Sequence, residues 1–155
     1  MSNSEKFLKE AFAGESQANR KYLAFAARAD QDGFPQVARL FRAAAEAETI
    51  HAHNHFRALK GIRSTKENLQ EAIAGETHEF KSMYPEMIEA ARAEGHKAAE
   101  RTFVHANEVE KIHAALYQKV LDIGGAQESY SYYVCPICGF TAEKAAGAGE
   151  PGNFP

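Results

Sequence analysis

The sequence predicts an all-α protein, an antiparallel four-helix bundle followed by a short irregular segment with two cysteines. Four alanine-rich stretches carry apolar residues at three- and four-residue spacing, which is the period of an amphipathic helix. Short stretches with glycine, proline or serine separate them, and short connections favour antiparallel neighbours. Beyond Gly125 the composition changes to a tyrosine cluster, a cysteine pair and a Gly/Pro-rich end. We therefore expect a bundle over residues 1–124 and a separate small segment over residues 125–155.

The first two helices have clear start and stop signals. Ser2 and Glu5 can form a capping box at the start of the first helix, which extends toward Gly33. Pro35 suits the first turn of the second helix, and Gly61 suits its C-terminal cap. The two helices are expected to be of similar length.

The last two helices follow the same logic. Ser64 and Glu67 offer a second capping box, at the start of the third helix. Pro85 lies inside this helix, where its missing N–H and its bulky ring predict a kink that does not end the helix. The fourth stretch begins at His96 and ends at the glycine pair 124–125.

Composition and charge exclude several classes of function. At 155 residues the chain suits one domain with a small appendage. A net charge of −3 gives no basic field for a phosphate backbone, so we expect no nucleic-acid partner. With a mean hydropathy of −0.47 and no long apolar run we expect no membrane span, and the start "MSNSEKF" is unlike a signal peptide. A cytoplasmic protein is expected, and two cysteines confined to "CPIC" suit a reducing compartment.

The bundle contains an internal repeat. "AGE" at 13–15 recurs at 74–76, a shift of 61 residues. Further along, the matches are shifted by 62: Gly33 with Gly95, Arg39 with Arg101, Phe41 with Phe103, Glu48 with Glu110, His51 with His113, and Leu59 with Leu121. The second half of the repeat therefore contains one inserted residue, near Pro85. A duplicated helix pair predicts that equivalent side chains face each other across a pseudo-twofold axis.

The repeat superposes side chains that can bind metal: Glu15 on Glu76, Glu48 on Glu110, and His51 on His113. Residues i and i+3 share a helix face, so each Glu-x-x-His pair projects an oxygen and a nitrogen donor side by side. A Glu from each of two helices and a Glu-x-x-His from each of the other two is the pattern of ferritin-like di-iron or di-manganese bundles. Carboxylates and imidazoles together suit iron or manganese. We therefore predict a dinuclear metal site.

The alternative is a polar helix surface. A single Glu-x-x-His in a glutamate-rich helical protein usually lies on a solvated face. Two such pairs at matching positions of a repeat, joined by two matching glutamates, favour the metal site instead. Converging carboxylates repel one another, so either their pKa values rise or a cation lies between them. The other histidines are expected to be structural or exposed: His53, His55, His78, His96 and His105.

Glu79 breaks the repeat, because Ala18 occupies the equivalent position of the first helix. A fifth carboxylate therefore reaches one side of the site only. Its negative charge offsets the positive charge that a metal pair gains on oxidation. Glu79 is thus a candidate ligand that responds to the oxidation state.

Four segments resemble the metal-binding helices of the rubrerythrin family: "GESQANRKY", "AEAETIHAHNHF", "AGETHEFKSMYPEM" and "NEVEKIHAALY". The match covers about residues 5–123, and the order Glu, Glu-x-x-His, Glu-x-x-Glu, Glu-x-x-His is highly specific. The resemblance implies a ferritin-like bundle with a non-haem di-iron site that reduces hydrogen peroxide to water. It implies seven metal ligands: Glu15, Glu48, His51, Glu76, Glu79, Glu110 and His113.

The resemblance also implies roles for individual residues. At one iron, His51 and Glu79 would exchange as the oxidation state changes. Tyr22 and Tyr84 match tyrosines that hydrogen-bond around the iron pair, although each could be an ordinary packing residue. Manganese or zinc could take the place of iron. The expected assembly is a homodimer, with helices exchanged between subunits as an open alternative.

The C-terminal segment departs from the family pattern. A rubredoxin-like iron centre needs four thiolates from two knuckles, and only Cys135 and Cys138 are present. Two thiolates can hold iron or zinc only if other ligands join, for example from another subunit. We therefore expect an external electron donor, such as a rubredoxin or a reductase. The competing function is a ferritin-like ferroxidase or an iron-storage module without peroxidase turnover.

Overall fold

The computed structural model describes residues 2–124 and 130–145. Helices dominate: α1 (Asn3–Gln31), α2 (Pro35–Ala58), α3 (Thr65–His78), a π-helical segment (Glu79–Met83), α4 (Tyr84–Ala93) and α5 (Lys97–Asp122). Two short antiparallel strands follow, β1 (Tyr130–Val134) and β2 (Thr141–Ala145). The segment that the sequence predicts to be irregular thus contains a β-hairpin. Its stretches 125–129 and 146–155 lie outside the described residues.

The chain divides into two compact units, residues 1–63 and residues 64–155. The first unit holds α1 and α2, two long helices that a short turn joins and that pack against each other. The second holds α3, the π-helical segment, α4, α5 and the β-hairpin. Each unit contains one copy of the repeated helix pair, so the structural division follows the duplication in the sequence.

Both predicted capping boxes are present. The N–H of Glu5 donates to the Ser2 hydroxyl at 3.2 Å, and the N–H of Ser2 donates to the Glu5 carboxylate at 2.9 Å. The N–H of Glu67 donates to the Ser64 hydroxyl at 3.4 Å, and the N–H of Ser64 donates to the Glu67 carboxylate at 3.1 Å. These bonds satisfy backbone donors that the first turn of a helix leaves free.

The C-terminal cap of α2 differs from the expectation. Lys60, not Gly61, takes the left-handed conformation, with φ of 56°. The N–H of Gly61 instead donates to the carbonyl of Phe56 at 3.0 Å. A Cβ atom at position 61 would collide with the ring of Phe56. Glycine is therefore needed here for space, whereas Gly33 after α1 supplies the left-handed residue itself, with φ of 79°.

The third predicted helix stays helical through Pro85, and a π-helical segment ends two residues before that proline. The N–H of Tyr84 donates to the carbonyl of Glu79, five residues earlier. A proline crowds the carbonyl four residues before it and donates no bond, so a wider turn suits this position. The repeat shift is 61 before this segment, at Glu76, and 62 after it, at Gly95. The π-helical turn thus accommodates the inserted residue.

Small side chains form the buried contacts within the first helix pair. Ala26, Ala29 and Ala38 are buried together in the first unit, beside Phe41. Alanines let helices approach closely but bury little apolar surface. Larger apolar side chains of this unit stay exposed, including Leu40. The first unit therefore keeps an apolar surface suited to packing against further helices.

None of the described helices combines the length and the apolar character that a membrane span requires.

Candidate metal centre

Three predicted ligands converge in the first unit. Glu15 lies on α1, and Glu48 and His51 lie one turn apart on α2, with donor atoms all within 4.8 Å of one another. Nδ1 of His51 is 2.9 Å from Oε2 of Glu48. The side chain of Glu48 is 18% exposed and that of His51 is 54% exposed. The glutamate is therefore fixed within the helix pair, while the imidazole remains largely accessible.

The second unit repeats the arrangement. Glu76 on α3 meets Glu110 and His113 on α5, again with donor atoms within 4.8 Å. Nδ1 of His113 is 2.8 Å from Oε2 of Glu110 and 3.8 Å from Oε2 of Glu76. Six of the seven predicted ligands thus form two triads, each with two carboxylates and one imidazole. This donor set suits a hard divalent cation such as iron or manganese.

Glu76 carries the electrostatic consequence of this crowding. Its pKa is raised from 4.5 to about 7, first by burial, and then by its hydrogen bond with Glu110 and the negative charges of Glu110 and Glu79. A carboxyl–carboxylate hydrogen bond requires one of the two groups to be protonated. A cation bound among these oxygens would replace that proton, because carboxylates bind metal in their deprotonated form.

Glu79 lies at the start of the π-helical segment, outside the triad but close to it. Its charge contributes to the raised pKa values of Glu76 and Tyr84. For the Tyr84 hydroxyl, burial is the largest cause and Glu110 the next. Tyr84 therefore lies beside the second triad, as expected for a group that hydrogen-bonds around a metal pair. Its hydrogen-bonding role stays a prediction.

Tyr22 is the repeat equivalent of Tyr84 and has an aromatic environment. Its ring centroid is 6.0 Å from that of Phe41 and 6.4 Å from that of Phe25. Tyr84 in turn has its ring centroid 6.3 Å from that of Phe103, the repeat equivalent of Phe41. The duplication thus extends to the aromatic pairs, and in the described part of the chain the ring contacts of Tyr22 are with phenylalanines.

The remaining histidines lie outside both triads. His96 caps α5, because its Nδ1 accepts the N–H of Ala99 at 3.2 Å. His53 lines a cavity of the first unit. Among the residues that the structure describes, only the two triads bring three or more metal-binding side chains within 4.8 Å, so His55, His78 and His105 belong to no such group.

Cys135 and Cys138 lie in the turn between β1 and β2. Backbone hydrogen bonds from Cys138 and then Ile137 lower the pKa of the Cys135 thiol, as is common in Cys-x-x-Cys motifs. The two cysteines line a cavity of about 310 Å³ together with His105 and Glu108 of α5. Within residues 2–124 and 130–145, no third ligand lies within 4.8 Å of both sulfurs. Iron or zinc binding here with additional ligands stays a prediction.

One contact of the second triad was not anticipated from the sequence. Thr141, the first residue of β2, has its Oγ1 atom 2.9 Å from Nε2 of His113. Only the docking of the hairpin on α5 brings these two residues together, since 28 positions separate them. No local pattern in the sequence could have predicted the contact.

Known proteins match this architecture. The sequence profile of the rubrerythrin family matches residues 6–121. The chain is 43% identical to Rubrerythrin-2 of Clostridium acetobutylicum, in an alignment that covers 87% of this chain and 83% of that protein. It is 35% identical to Nigerythrin of Nitratidesulfovibrio vulgaris, in an alignment that covers 86% of this chain and 73% of that protein.

The fold is similar to that of a solved structure, the fully reduced, all-ferrous state of nigerythrin. The TM-score is 0.54 at 32% identity, over 94% of this chain and 79% of that chain. The similarity confirms the predicted all-α, ferritin-like fold class, and the two carboxylate–imidazole triads fit the di-iron cofactor that the sequence predicts. The chain therefore belongs to the rubrerythrin family of ferritin-like di-iron proteins.

Proposed function

We propose that this protein is a peroxide reductase that converts hydrogen peroxide to water at a di-iron centre. The observation that carries the proposal is the pair of triads with the same donor set, together with a further carboxylate, Glu79, beside the second triad. When bound, two ferrous ions would supply Lewis acidity and the two electrons that cleavage of the O–O bond consumes. Two protons complete the reduction to two molecules of water.

The charges of the side chains support one site for two ions. Four glutamates of the two triads carry four negative charges, which balance two ferrous ions: Glu15, Glu48, Glu76 and Glu110. Glu79 adds a fifth negative charge, which favours the oxidised pair. Neither triad alone provides this balance, so we propose that both contribute to a single dinuclear site.

Two further groups have roles in this proposal. The Tyr84 hydroxyl keeps its proton, because burial and three nearby glutamates raise its pKa, and it can donate a hydrogen bond toward bound peroxide. His51 is the more exposed of the two histidine ligands, at 54% against 29% for His113. This difference supports His51 as the ligand that exchanges with Glu79.

The electrons that reduce the metal pair after each turnover need a source other than a complete rubredoxin-like centre in the described residues. Cys135 and Cys138 supply two of the four thiolates that a rubredoxin-like centre needs. We therefore propose an external donor, such as a rubredoxin or a reductase, that restores the ferrous pair after each turnover.

A homodimer with exchanged helix pairs is the assembly that we propose. A ferritin-like bundle requires one long crossover connection. Between α2 and α3 the chain has only residues 59–64, which can span about 20 Å. The 24-residue helix α2 is about 36 Å long. Because the connection is shorter than the helix that it would have to cross, we propose that the α1–α2 pair of one copy completes the bundle with the second unit of another.

A ferroxidase or iron-storage role is the second candidate, and the two-cysteine knuckle favours it because it leaves electron entry incomplete. Anaerobic titration of the diferrous protein distinguishes the two functions. A peroxide reductase should consume one hydrogen peroxide per ferrous pair, faster than it consumes oxygen, and should turn over when a reductant is supplied. Faster oxidation by oxygen, with ferric iron accumulating beyond two ions per site, would identify a ferroxidase instead. Anomalous diffraction at the iron, manganese and zinc edges would identify the bound metals.

A further inference from the structure

The C-terminal hairpin contacts the second triad through one hydroxyl. Oγ1 of Thr141 lies 2.9 Å from Nε2 of His113 and 3.1 Å from the carbonyl oxygen of Gly139. The opposite ring nitrogen, Nδ1, faces Glu110 at 2.8 Å. His113 is therefore held from both sides, by a carboxylate of the triad and by the hairpin.

The donors and acceptors in this chain of contacts have a defined order. The Thr141 hydroxyl donates to the carbonyl oxygen of Gly139, which can only accept. The hydroxyl oxygen is then available to accept a hydrogen bond from Nε2–H of His113. With Nε2 protonated, a neutral imidazole has its lone pair on Nδ1, the atom that faces the carboxylates of the triad. This is the tautomer that a shared metal ion requires.

The equivalent histidine of the first unit lacks this support. Nδ1 of His51 is 2.9 Å from Glu48, which matches the contact between His113 and Glu110. Nε2 of His51, however, has no hydrogen-bond partner in the part of the chain that the structure describes. His51 and His113 are equivalent positions of the repeat, but among the described residues only His113 has a hydrogen bond with the hairpin. The hairpin therefore gives the two histidines different environments.

We propose that Thr141 is a positioning residue that fixes His113 as the permanent imidazole ligand, in its Nε2-protonated form. The inference deepens the proposed function, because it rests on the triads holding metal. It assigns the asymmetry between the two histidines to a contact of this chain: His113 is held in place, and His51 is free to leave. It also joins the cysteine knuckle to the metal centre, since Gly139 directly follows Cys138.

The hairpin is anchored well enough to serve this purpose. The N–H of Cys135 donates to the carbonyl of Phe140 at 2.9 Å, and the N–H of Gly139 donates to the carbonyl of Cys135 at 2.9 Å. Lys119 of α5 pairs with Glu143 of β2. These bonds close the turn and attach β2 to α5, so the Thr141 hydroxyl has a fixed position relative to His113.

Three substitutions test the proposal in the full-length protein. Thr141→Val removes the hydroxyl at nearly constant shape, and Thr141→Ser keeps it. Thr102→Val is the matched control, because Thr102 is an exposed residue of α5 whose hydroxyl bonds to carbonyls of its own helix. Long-range ¹H–¹⁵N spectra of the metal-free protein report which nitrogen of each imidazole carries the proton. Zinc titration against a competing chelator reports the affinity.

We expect the wild type, Thr141→Ser and Thr102→Val to show His113 protonated at Nε2. In Thr141→Val we expect mixed tautomers at His113, an unchanged spectrum of His51, and about 10-fold to 100-fold weaker zinc binding. An unchanged tautomer and affinity in Thr141→Val would overturn the proposal. Thr141→Val could also detach the hairpin from α5, and in that case Thr141→Ser is the decisive variant. A wild-type spectrum of Thr141→Ser supports the proposal, and loss of its Nε2-protonated form overturns it.

These readouts are independent of peroxide turnover. A wild-type protein that binds two zinc ions with His113 in the expected tautomer, yet consumes no peroxide when loaded with iron, would contradict the proposed function alone. Normal peroxide consumption with a tautomer that ignores Thr141 would contradict the positioning role alone.

Discussion

Glu76 shows most directly what happens when several carboxyl groups share one part of a helix pair. Burial, the hydrogen bond to Glu110 and the nearby negative charges raise its pKa from 4.5 to about 7. At low pH the group is protonated in both the folded and the unfolded chain. Between about pH 4.5 and pH 7 the unfolded chain releases this proton more readily, so the metal-free fold loses stability as the pH rises.

The substitution Glu76→Gln should remove this dependence. In the presence of a chelator, we expect the melting temperature of the wild type to fall relative to that of Glu76→Gln as the pH rises from about 5 to 7.5. Glu89→Gln, at an exposed position of α4, is the control and should follow the wild type. Parallel melting profiles for the wild type and Glu76→Gln would show that the crowding is relieved in solution. With metal bound the trend should reverse, because protons compete with the cation for these carboxylates.

Glu79 is expected to act on the oxidised metal pair more than on the reduced one. Replacing it by alanine, the residue of its repeat equivalent Ala18, removes a negative charge from one side of the site. The ferrous affinity should change less than about 10-fold, while the reduction potential of the metal pair should rise, because the loss of negative charge destabilises the ferric state. Spectroelectrochemical titration measures the potential, with Glu86→Ala as the exposed control on α4. A potential equal to that of the wild type would exclude Glu79 from the oxidised site.

The π-helical segment between α3 and α4 accommodates an inserted residue. The chain has one residue more here than in the equivalent stretch of α1, yet Ile88 and Ala91 beyond the segment remain buried. The additional residue is thus absorbed locally, without rotating α4 away from its packing. Such insertions occur frequently at functional sites, and here the segment begins at Glu79.

Removing the insertion should therefore preserve the fold and change the site. We expect deletion of Ser82 combined with Pro85→Ala to give a regular helix with a melting temperature equal to or above that of the wild type, because the inserted turn is strained relative to an α-helix. The reduction potential should shift in the direction expected for Glu79→Ala. Deletion of Gln70, where no wide turn can absorb the loss, should rotate the flanking helix by about 100° and lower the melting temperature sharply. Equal destabilisation by both deletions would contradict a local role for the π-helical segment.

Local signals explain why much of this structure could be predicted from the sequence. The capping boxes at Ser2 and Ser64 and the helix periodicity depend on neighbouring residues only, and the repeated glutamates and histidines are visible as a constant shift along the chain. The exact form of the turn before Pro85 could not be predicted, because a kink and a π-helical turn both satisfy a proline. Contacts between distant segments, such as that of Thr141 with His113, depend on how the hairpin docks, and no short pattern encodes them.

Assembly determines whether the two triads can act together. The buried contacts of the α1–α2 pair are made mainly by alanines, while Phe25, Leu40 and Ile50 stay exposed on its surface. Burying such side chains contributes about 1.5–3 kcal/mol each, so the pair should be stable only when it packs against other helices. The short connection 59–64 is why we expect those helices to belong to a second copy of the chain.

Complementation between two inactive variants tests this assembly. One variant carries Glu48→Ala and His51→Ala, and the other carries Glu110→Ala and His113→Ala, so that each lacks one triad. If helix pairs are exchanged, a mixed dimer contains one intact site, formed by the first unit of one variant and the second unit of the other. After unfolding and refolding an equimolar mixture, we expect half of the dimers to be mixed, and hence about a quarter of the wild-type peroxide consumption and bound iron. Each variant refolded alone should recover neither. A mixture as inactive as its components, with dimers present, would place both triads of a site in one chain and require the connection after α2 to span the bundle.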